Sequence, residues 1–379
     1  MPRLLALLAL CSLLPAGTGA APVSARTPVP LTSIHMVTAR VGWAIGGARN
    51  PVVLRTTDGG HNWTRILAAA VGAGAFVDSR SARVAATHGY GSRTVQLYRT
   101  DDAGVHWNHS MLTVPAMSTG SILQLDFPTR SQGWLLAGVT PGMGHLVYSL
   151  WHSTDGGSHW TEVADDTEAR RSRDAFPGCN CIDALTQGIS FRSGGNGWVT
   201  GEPFATNPPW IYVTHNAGQT WSAQRLPRDG GRVVVVTHDP VFVGGGTGYL
   251  PVQLNPPGLH RAIVAAYVTR NGGRTWMRRP PIAVTQPAAS DALGLTDSFV
   301  GSDGWLALDG RLWRSTDGAR HWHALGHPAN WPSDVSELQF LNVSVGFALP
   351  YLSSTRAPTY LLETTDGGRT WMRVSAYRS

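Results

Sequence analysis

Short apolar segments with a fixed internal spacing recur along the chain. An apolar residue is followed six positions later, or five in one copy, by a glycine and an aromatic residue, as in Phe127 to Gly133-Trp134. The apolar residues of these copies are Met36, Phe127, Phe191, Phe242, Phe299 and Phe340. In one further copy Phe76 keeps the apolar position, but Ala82-Arg83 replaces the glycine and the aromatic residue. This spacing predicts a strand that ends near the apolar residue, a tight turn, and a second strand that begins at the glycine.

A second motif follows each of these segments and has the form Ser/Thr-x-Asp/Asn-x-Gly-x-x-Trp, relaxed once in its glycine; we call it the box. Its acidic or amide residues are Asp58, Asp102, Asp155, Asn216, Asn271, Asp317 and Asp366. Such a side chain can accept N–H bonds within its own turn, the glycine permits positive φ, and the tryptophan can pack between neighbouring sheets. Because seven near-identical copies cannot all be catalytic in one domain, we interpret the boxes as structural. The same interpretation covers the histidines at variable box positions, which are His61, His106, His159 and His321.

The spacing of the boxes predicts the architecture. Their tryptophans recur about every 51 residues, which is the period of a propeller blade rather than of a helical solenoid. The sequence therefore predicts an all-β protein, a seven-bladed β-propeller of four-stranded antiparallel blades with Asp-box turns. Residues 31–379 are expected to form this single domain, with the second blade degenerate. Residues 21–30 are a proline-containing lead-in that could add an outer strand and help to close the ring.

Residues 1–20 have the pattern of a secretory signal peptide. Arg3 supplies a positive charge, residues 4–14 form an apolar run too short to span a bilayer, and small residues follow. We therefore expect cleavage after Ala20 and export to a secreted, periplasmic or envelope location. Lipidation at Cys11 is disfavoured, because a large leucine precedes this cysteine and the apolar run continues beyond it.

Composition limits the kinds of partner. All thirty basic residues are arginines, and the formal net charge is +6. Arginine presents a planar guanidinium that can bind a carboxylate through two hydrogen bonds, so we expect a protein or envelope polymer with acidic groups as the partner. No nucleic-acid-binding motif accompanies the charge, and nucleic acid is not expected as a partner. The sequence also predicts no cofactor, no metal ion, no transmembrane segment in the mature chain, and a monomer.

Two cysteines remain after the predicted cleavage. Cys179 and Cys181 lie two positions apart, and in an exported protein such a pair could form a tight disulfide, half of a metal site or an interchain link. No Cys or His follows at metal-ligand spacing, so a local disulfide is the favoured interpretation.

The loops that differ between repeats are the expected location of function, because binding chemistry concentrates on loops of rigid scaffolds. Three such segments of neighbouring blades fall on the face opposite the boxes: residues 164–187, 201–210 and 255–261. They supply the binding candidates Glu202, Trp210 and Arg261. Trp210 suits stacking against a sugar or a peptide, and the alternative is that it packs onto the blade beneath it.

The box face carries a repeated arginine. Arg274, Arg320 and Arg369 occupy the same box position in three consecutive blades, and we call them the arginine stripe. Further arginines close in sequence are Arg270, Arg278, Arg279 and Arg373. One hypothesis is that the stripe meets a partner that carries carboxylates. The alternative is that these side chains are solvated and pair with nearby box aspartates.

Together the glycine-aromatic pairs, the boxes and the seven-fold count resemble the photosystem II stability and assembly factor family, which consists of exported seven-bladed propellers rich in Asp boxes. The resemblance covers residues 31–374. It implies a non-enzymatic scaffold, and in the family an arginine patch is implicated in binding newly made membrane-protein subunits. The arginine stripe is similar in kind to that patch, without a residue-by-residue match.

The alternative function is a glycoside hydrolase, because Asp boxes also occur in sialidases and in xyloglucan-cleaving enzymes. A sialidase would carry an Arg-Ile-Pro phrase near the first strand, and the nearest sequence, Arg26-Thr27-Pro28, precedes the blades. Xyloglucan-cleaving enzymes resemble two such propellers in tandem, whereas this chain predicts one. Hydrolysis would require two carboxylates a few ångströms apart. Glu202 is the candidate for one of them, and its possible partners are Asp165, Asp166, Glu168 and Asp183.

Overall fold

The computed structural model contains β-strands and turns, and no helix, in the part of the chain that it describes. That part comprises residues 30–47, 50–87, 93–114, 121–139, 147–165, 184–203, 211–227, 233–255, 261–285, 295–308, 310–326, 328–351 and 360–374. Its strands form seven antiparallel sheets, one for each predicted repeat. The predicted all-β, seven-bladed propeller is thereby confirmed.

The strands follow the repeats in chain order. The first three blades contain β1 (Leu31–Met36), β2 (Gly42–Gly46), β3 (Val52–Thr56) and β4 (Thr64–Leu67); β5 (Val71–Phe76), β6 (Ala82–Thr87), β7 (Thr94–Thr100) and β8 (Asn108–Thr113); and β9 (Ser121–Asp126), β10 (Gly133–Val139), β11 (Val147–Ser153) and β12 (Thr161–Asp165). The fourth and fifth contain β13 (Ala184–Phe191), β14 (Gly197–Pro203), β15 (Ile211–Thr214) and β16 (Ser222–Ala223); and β17 (Val233–Thr237), β18 (Val241–Gly244), β19 (Thr247–Asn255), β20 (Arg261–Thr269), β21 (Met277–Arg278) and β22 (Ile282–Thr285). The last two contain β23 (Thr296–Val300), β24 (Asp303–Leu308), β25 (Arg311–Ser315) and β26 (His323–Ala324); and β27 (Val335–Phe340), β28 (Gly346–Pro350), β29 (Leu361–Thr364) and β30 (Met372–Val374).

Each sheet runs in chain order from an innermost to an outermost strand, and the fifth blade departs from this plan. There β17 and β18 both pair with β19, while β21 and β22 both pair with β20. The blade therefore keeps four rows of strands, but its innermost and outermost rows are each split in two. Pro240 lies in the inner gap, where its missing N–H removes a ladder hydrogen bond.

The box forms the turn between the third and fourth strands of every blade, and the last box illustrates its hydrogen bonds. Asp366 Oδ1 accepts from the Thr364 hydroxyl and from the N–H groups of Arg369 and Thr370, each at 2.9 Å. The Thr370 hydroxyl donates to Asp366 Oδ2 at 2.6 Å. The residue after the aspartate, Gly367, donates its N–H to the Ser344 carbonyl in the first turn of the same blade at 2.8 Å. The box therefore fixes its own turn and ties it to the neighbouring turn.

Neighbouring blades are joined by an aromatic stack. The aromatic residue that begins the second strand of one blade lies flat on the phenylalanine of the next blade, as Trp305 does on Phe340 with ring centres 3.8 Å apart and planes within 6°. Trp305 Nε1–H also donates to the Gly367 carbonyl in the box of that next blade at 3.0 Å. Similar stacks join Trp43 to Phe76, Trp134 to Phe191, and Tyr249 to Phe299.

The glycine before each aromatic residue is required by the phenylalanine of its own blade. A Cβ at Gly133 would lie 2.2 Å from Phe127 Cζ, which real Cβ atoms do not tolerate. The second blade has Ala82 at this position, and there Phe76 and Trp43 lie farther apart, with ring centres separated by 5.6 Å.

Arg83 replaces the missing aromatic residue of the second blade. Its guanidinium carbon lies 5.7 Å from the centre of the Phe127 ring in the third blade. Its Nε–H donates to the box carbonyl of Gly156 at 2.7 Å, and Nη2 donates to the Arg130 carbonyl and the Asp101 carboxylate at 3.0 Å. Arg83 is only 4% exposed. The degenerate second blade thus keeps both the ring contact and the hydrogen bond to the box of the next blade, with a cation–π interaction in place of the aromatic stack.

The ring is closed between β27 and β1 through side chains. Glu337 accepts the Ile34 N–H at 2.6 Å, while the Gln339 amide accepts the Met36 N–H at 2.7 Å and donates to the Met36 carbonyl at 2.9 Å. These bonds satisfy the backbone of an inner strand edge that has no strand neighbour on that side. Of the predicted lead-in, only Pro30 is among the described residues, and the predicted signal peptide lies outside them.

We expect Asp366→Ala to lower the free energy of unfolding. The substitution removes the hydrogen bonds that the carboxylate accepts from the Thr364 hydroxyl and from the exposed Arg369 and Thr370 N–H groups, at a net cost of about 0.5–1.5 kcal/mol for each bond. Asp366→Asn is the matched control, because Asn271 and Asn216 already occupy this position and their amides donate to a threonine four residues on. Urea unfolding of the three proteins checks this expectation, and equal stability of wild type and Asp366→Ala would contradict it.

Arg83→Met should destabilise the protein more strongly than removal of an exposed arginine nearby. It leaves the Gly156 and Arg130 carbonyls without a donor, at about 1–3 kcal/mol for each buried group. Arg130→Met is the control, because Arg130 pairs with Asp78 at an exposed site worth about 0–1 kcal/mol. Melting temperatures measured in parallel test the difference; a larger loss in Arg130→Met would rule out the assigned role of Arg83.

Candidate functional site: a basic cleft on the box face and a polar channel

The arginine stripe lies on exposed box turns of the last three blades. The Arg320 guanidinium donates to the main-chain carbonyl of Asp317 at 3.3 Å, and that of Arg369 to the carbonyl of Asp366 at 3.4 Å. The carboxylates of these two aspartates instead accept hydrogen bonds from their own turns. The stripe therefore offers exposed guanidinium groups that a partner could contact.

A cleft of about 460 Å³ lies in the fifth blade, and we call it the basic cleft. Its charged lining consists of Arg270, Arg278 and Arg279. The rest of the lining consists of Pro227, Val268, Asn271, Thr275, Trp276 and Met277. Cationic groups thus border an apolar surface within one depression.

The split outer row of the fifth blade positions these side chains. The segment β21 has only two residues, and Arg279 leaves it by donating its N–H to the Ala266 carbonyl at 2.8 Å. Trp276 is buried beneath the segment, while Met277 is 58% exposed. Because alternate residues of a strand point to opposite faces, Met277 and Arg279 share one side of the chain.

The basic cleft has no carboxylate from its own box, because Asn271 occupies the box position. Burial lowers the pKa of Arg279, and the neighbouring charges of Arg320 and Arg270 lower it further. Arg279 Nη1 is directed at the Met277 sulfur at 3.5 Å, and its Nε is buried without a hydrogen-bond partner among the described residues. A carboxylate would be a far stronger acceptor than a thioether for this guanidinium.

The inner strands place polar side chains around the central channel. Gln124 exchanges two hydrogen bonds with the backbone of Ile189 in the next blade, at 2.7 and 2.8 Å. Asp126 accepts the Phe191 N–H at 2.7 Å. The same arrangement closes the ring at Glu337 and Gln339, so a pair of polar residues two positions apart serves both junctions.

Four carboxyl groups around the channel have raised pKa values, three in the inner strands and one, Asp239, between β17 and β18. Burial raises the pKa of Asp126, Asp297 and Glu337 to about 7 and that of Asp239 to about 6. The charge of Asp239 contributes further to the increases at Asp126 and Asp297. Asp297 and Glu337 line a channel cavity of about 390 Å³.

Three of the channel carboxyl groups accept hydrogen bonds from the fold. Asp126 and Glu337 accept backbone N–H bonds, and Asp239 accepts the Thr200 hydroxyl at 2.6 Å. Each of these three hydrogen bonds joins two neighbouring blades.

Several predicted site residues cannot be placed. Cys179, Cys181 and Trp210 lie outside the described residues, and for Glu202 and Arg261 only the strands that carry them are described. The same limit applies to the acidic partners suggested for Glu202. These residues remain predictions. Trp331, a loop tryptophan, packs against Trp371 with ring centres 5.0 Å apart.

The channel carboxyls were not singled out from the sequence, and the arginines of the basic cleft were named only as neighbours of the arginine stripe. Asp126, Asp239 and Glu337 lie one or three positions before the apolar residue of a repeat, and Asp297 lies two positions before it. In the basic cleft, the sequence Met277-Arg278-Arg279 directly follows a box that contains asparagine. Neither signal by itself distinguishes a contact between blades from a ligand contact.

No group of three or more His, Cys, Asp or Glu side chains among the described residues has an arrangement that could hold a metal ion. Among the same residues, no helix is long and apolar enough to cross a membrane.

Comparison with known proteins places the chain beside photosystem II assembly factors. No protein-family model matches it. A segment of 139 residues, 36% of the chain, is 32% identical to the photosystem II assembly lipoprotein Ycf48 of Synechococcus sp. (strain CC9902). The match spans about a third of that relative, 33% of its length.

Solved structures agree in fold. A structure of YCF48 bound to a D1 peptide aligns with a TM-score of 0.55 at 15% identity, covering 90% of this chain and 94% of that one. An ancestral GH74 enzyme aligns with a TM-score of 0.39 at 11% identity over 90% of this chain and 56% of that one, which is too low a score to support an argument. The predicted resemblance is confirmed, and the chain has a Ycf48-like propeller fold.

Stability should fall as the pH rises from about 4 to 7. The channel carboxyls have folded-state pKa values of about 6 to 7, above their unfolded values, so their contribution is complete below about pH 4 and is lost as the pH rises to neutrality. The box aspartates act in the opposite sense. Burial would raise the pKa of Asp366, but its hydrogen bonds outweigh burial and lower it to about 2. Their contribution is lost as the pH falls from about 4 to 2, so the maximum should lie near pH 4.

Chemical unfolding between pH 4 and 8.5 tests this expectation, and Asp297→Asn is the informative variant. Asparagine is neutral at every pH and should reduce the decline, whereas Asp334→Asn, outside the channel carboxyl group, should leave it unchanged. A wild-type protein equally stable at pH 5 and pH 8 would contradict the assigned ionisation.

Proposed function

We propose that this Ycf48-like propeller is an exported, non-enzymatic binding or assembly scaffold, and that its basic cleft holds an acidic segment of a partner protein. The observation that carries the proposal is the set of guanidinium groups around an apolar surface in the fifth blade. An envelope polymer with acidic groups is the other partner class that this chemistry fits.

The charges around the cleft favour an anionic ligand. In addition to burial, the charges of Arg320, in the arginine stripe, and of Arg270 lower the pKa of Arg279. A ligand carboxylate would relieve this repulsion and would offer Arg279 Nη1 a stronger acceptor than the Met277 sulfur. Guanidinium–carboxylate hydrogen bonds are about twice as strong as neutral ones and can form in pairs.

The apolar part of the cleft favours a peptide over a bare anion. Trp276 and Met277 could contact an aliphatic or aromatic side chain next to the acidic residue, and methionine adapts to varied shapes. The solved YCF48 structure similar to this chain binds a peptide, which supports the same ligand class here.

The arrangement of the channel supports a scaffold rather than a hydrolase. Three of its described carboxyl groups accept hydrogen bonds that join neighbouring blades. The glycosidase alternative depends on Glu202 and an acidic neighbour on the opposite face. Trp210 and Arg261 remain candidates for a second ligand-facing surface there.

An exported location is part of the proposal. It rests on the signal-peptide pattern of residues 1–20, and the lipoprotein relative is consistent with an envelope location. We propose that the mature chain acts as a monomer and uses neither nucleic acid nor a cofactor.

Binding of a peptide with alternating Glu and Leu tests the proposal. Arg270→Gln with Arg279→Gln should reduce its affinity at least tenfold, and the triple change of the arginine stripe should reduce it less. Affinity should also fall as salt rises, because exposed charges are screened over about 10 Å at 0.1 M ionic strength. Arg40→Gln with Arg311→Gln is the control pair, since both side chains are exposed.

The same experiment separates the alternatives. Equal affinity for a Gln/Leu peptide, or unchanged affinity in the cleft variant, would refute an acid-binding cleft. Turnover of a chromogenic glycoside that disappears in Glu202→Gln and persists in the arginine variants would establish the hydrolase.

A further inference from the structure

Two exposed methionines occupy equivalent positions in different blades. Met277 and Met372 each follow a box tryptophan, and each is 58% exposed. Exposed thioethers are open to oxidation to the sulfoxide, which methionine sulfoxide reductases reverse. The chain therefore provides a matched pair of sulfur atoms with equal exposure.

Their arginine neighbours differ. Arg279 Nη1 is 3.5 Å from the Met277 sulfur, inside the basic cleft. In the seventh blade, Arg373 instead lies over the Tyr360 ring, with its guanidinium carbon 3.8 Å from the ring centre. Within the described residues, a guanidinium group donates to the sulfur of Met277, and none donates to the sulfur of Met372.

We infer that Met277 is a reversible oxidation site that controls the basic cleft, with a peroxide as the oxidant; this inference rests on the proposed function. The thioether sulfur attacks one oxygen of hydrogen peroxide, an S–O bond forms, and the O–O bond breaks. The sulfur loses two electrons, and the released hydroxide takes up the remaining proton of the peroxide to become water. The products are one sulfoxide and one water.

The sulfoxide changes the cleft in two ways. Its oxygen is a strong hydrogen-bond acceptor within reach of Arg279, whereas the thioether sulfur is a weak one. The oxidised side chain is also polar, so it no longer presents an apolar surface to the ligand. Arg279 is thereby engaged within the protein, and a ligand carboxylate must compete for it.

The test treats the full protein with hydrogen peroxide and locates the sulfoxides by peptide mass spectrometry. Affinity for the Glu/Leu peptide should fall roughly tenfold, the loss of about one good hydrogen bond. Methionine sulfoxide reductase should restore it. Peroxide should leave the affinity of Met277→Leu at its untreated value, Met277→Gln should bind weakly without peroxide, and Met372→Leu should bind and respond to peroxide as the wild type does.

A second measurement does not depend on peptide binding. Phenylglyoxal modifies accessible guanidinium groups, and its reaction with Arg279 should slow severalfold after oxidation, while its reaction with Arg373 stays unchanged. Unchanged Arg279 reactivity in protein oxidised at Met277, or an equal peroxide effect in Met277→Leu, overturns the inference. If the unoxidised protein does not bind the acidic peptide, the proposed function fails. The reactivity of Arg279 with phenylglyoxal then still tests whether the Met277 sulfoxide contacts Arg279.

Discussion

The contact between the second strand of one blade and the phenylalanine and box of the next determines much of this structure. At Trp305 it combines a flat stack on Phe340 with an Nε1–H bond to Gly367. The position of Phe340 in the stack requires Gly346 of its own blade, and the hydrogen bond requires the box turn to present its carbonyl. One interaction therefore explains why both sequence motifs recur together. Arg83 supports this view, because it differs chemically from tryptophan and yet contacts the next blade's ring and box carbonyl.

The polar inner strands carry a second constraint. A propeller leaves the inner edge of each blade without a strand neighbour, and here glutamine and acidic side chains satisfy that backbone at two junctions. The same enclosure raises the pKa of the carboxyl groups involved. The contacts that close the ring thus make stability sensitive to pH near neutrality, and carboxyl groups that could suggest an active site have a structural use.

The repeated motifs made the fold predictable, because each motif residue meets a local need that recurs in every blade. The sequence showed that Arg83 replaces an aromatic residue. It did not show what Arg83 contacts, because its partners Gly156 and Arg130 lie far away in the sequence. The split rows of the fifth blade were not predicted either, because strand breaks depend on packing between blades. The arginine stripe was identified by its repetition. The basic cleft beside it depends on the short β21, which brings Met277 and Arg279 to one side.

The proposed function combines a rigid array of blades with one blade whose box lacks a carboxylate and whose outer row is broken. Three arginines line the cleft there beside a box that carries Asn271, whereas the equivalent box positions in the sixth and seventh blades retain Asp317 and Asp366. A crystal structure of the protein with the Glu/Leu peptide tests this account most directly. The account predicts peptide carboxylates on Arg270 and Arg279, with a leucine against Trp276 and Met277. A peptide bound in the central channel or on the face opposite the boxes would contradict it.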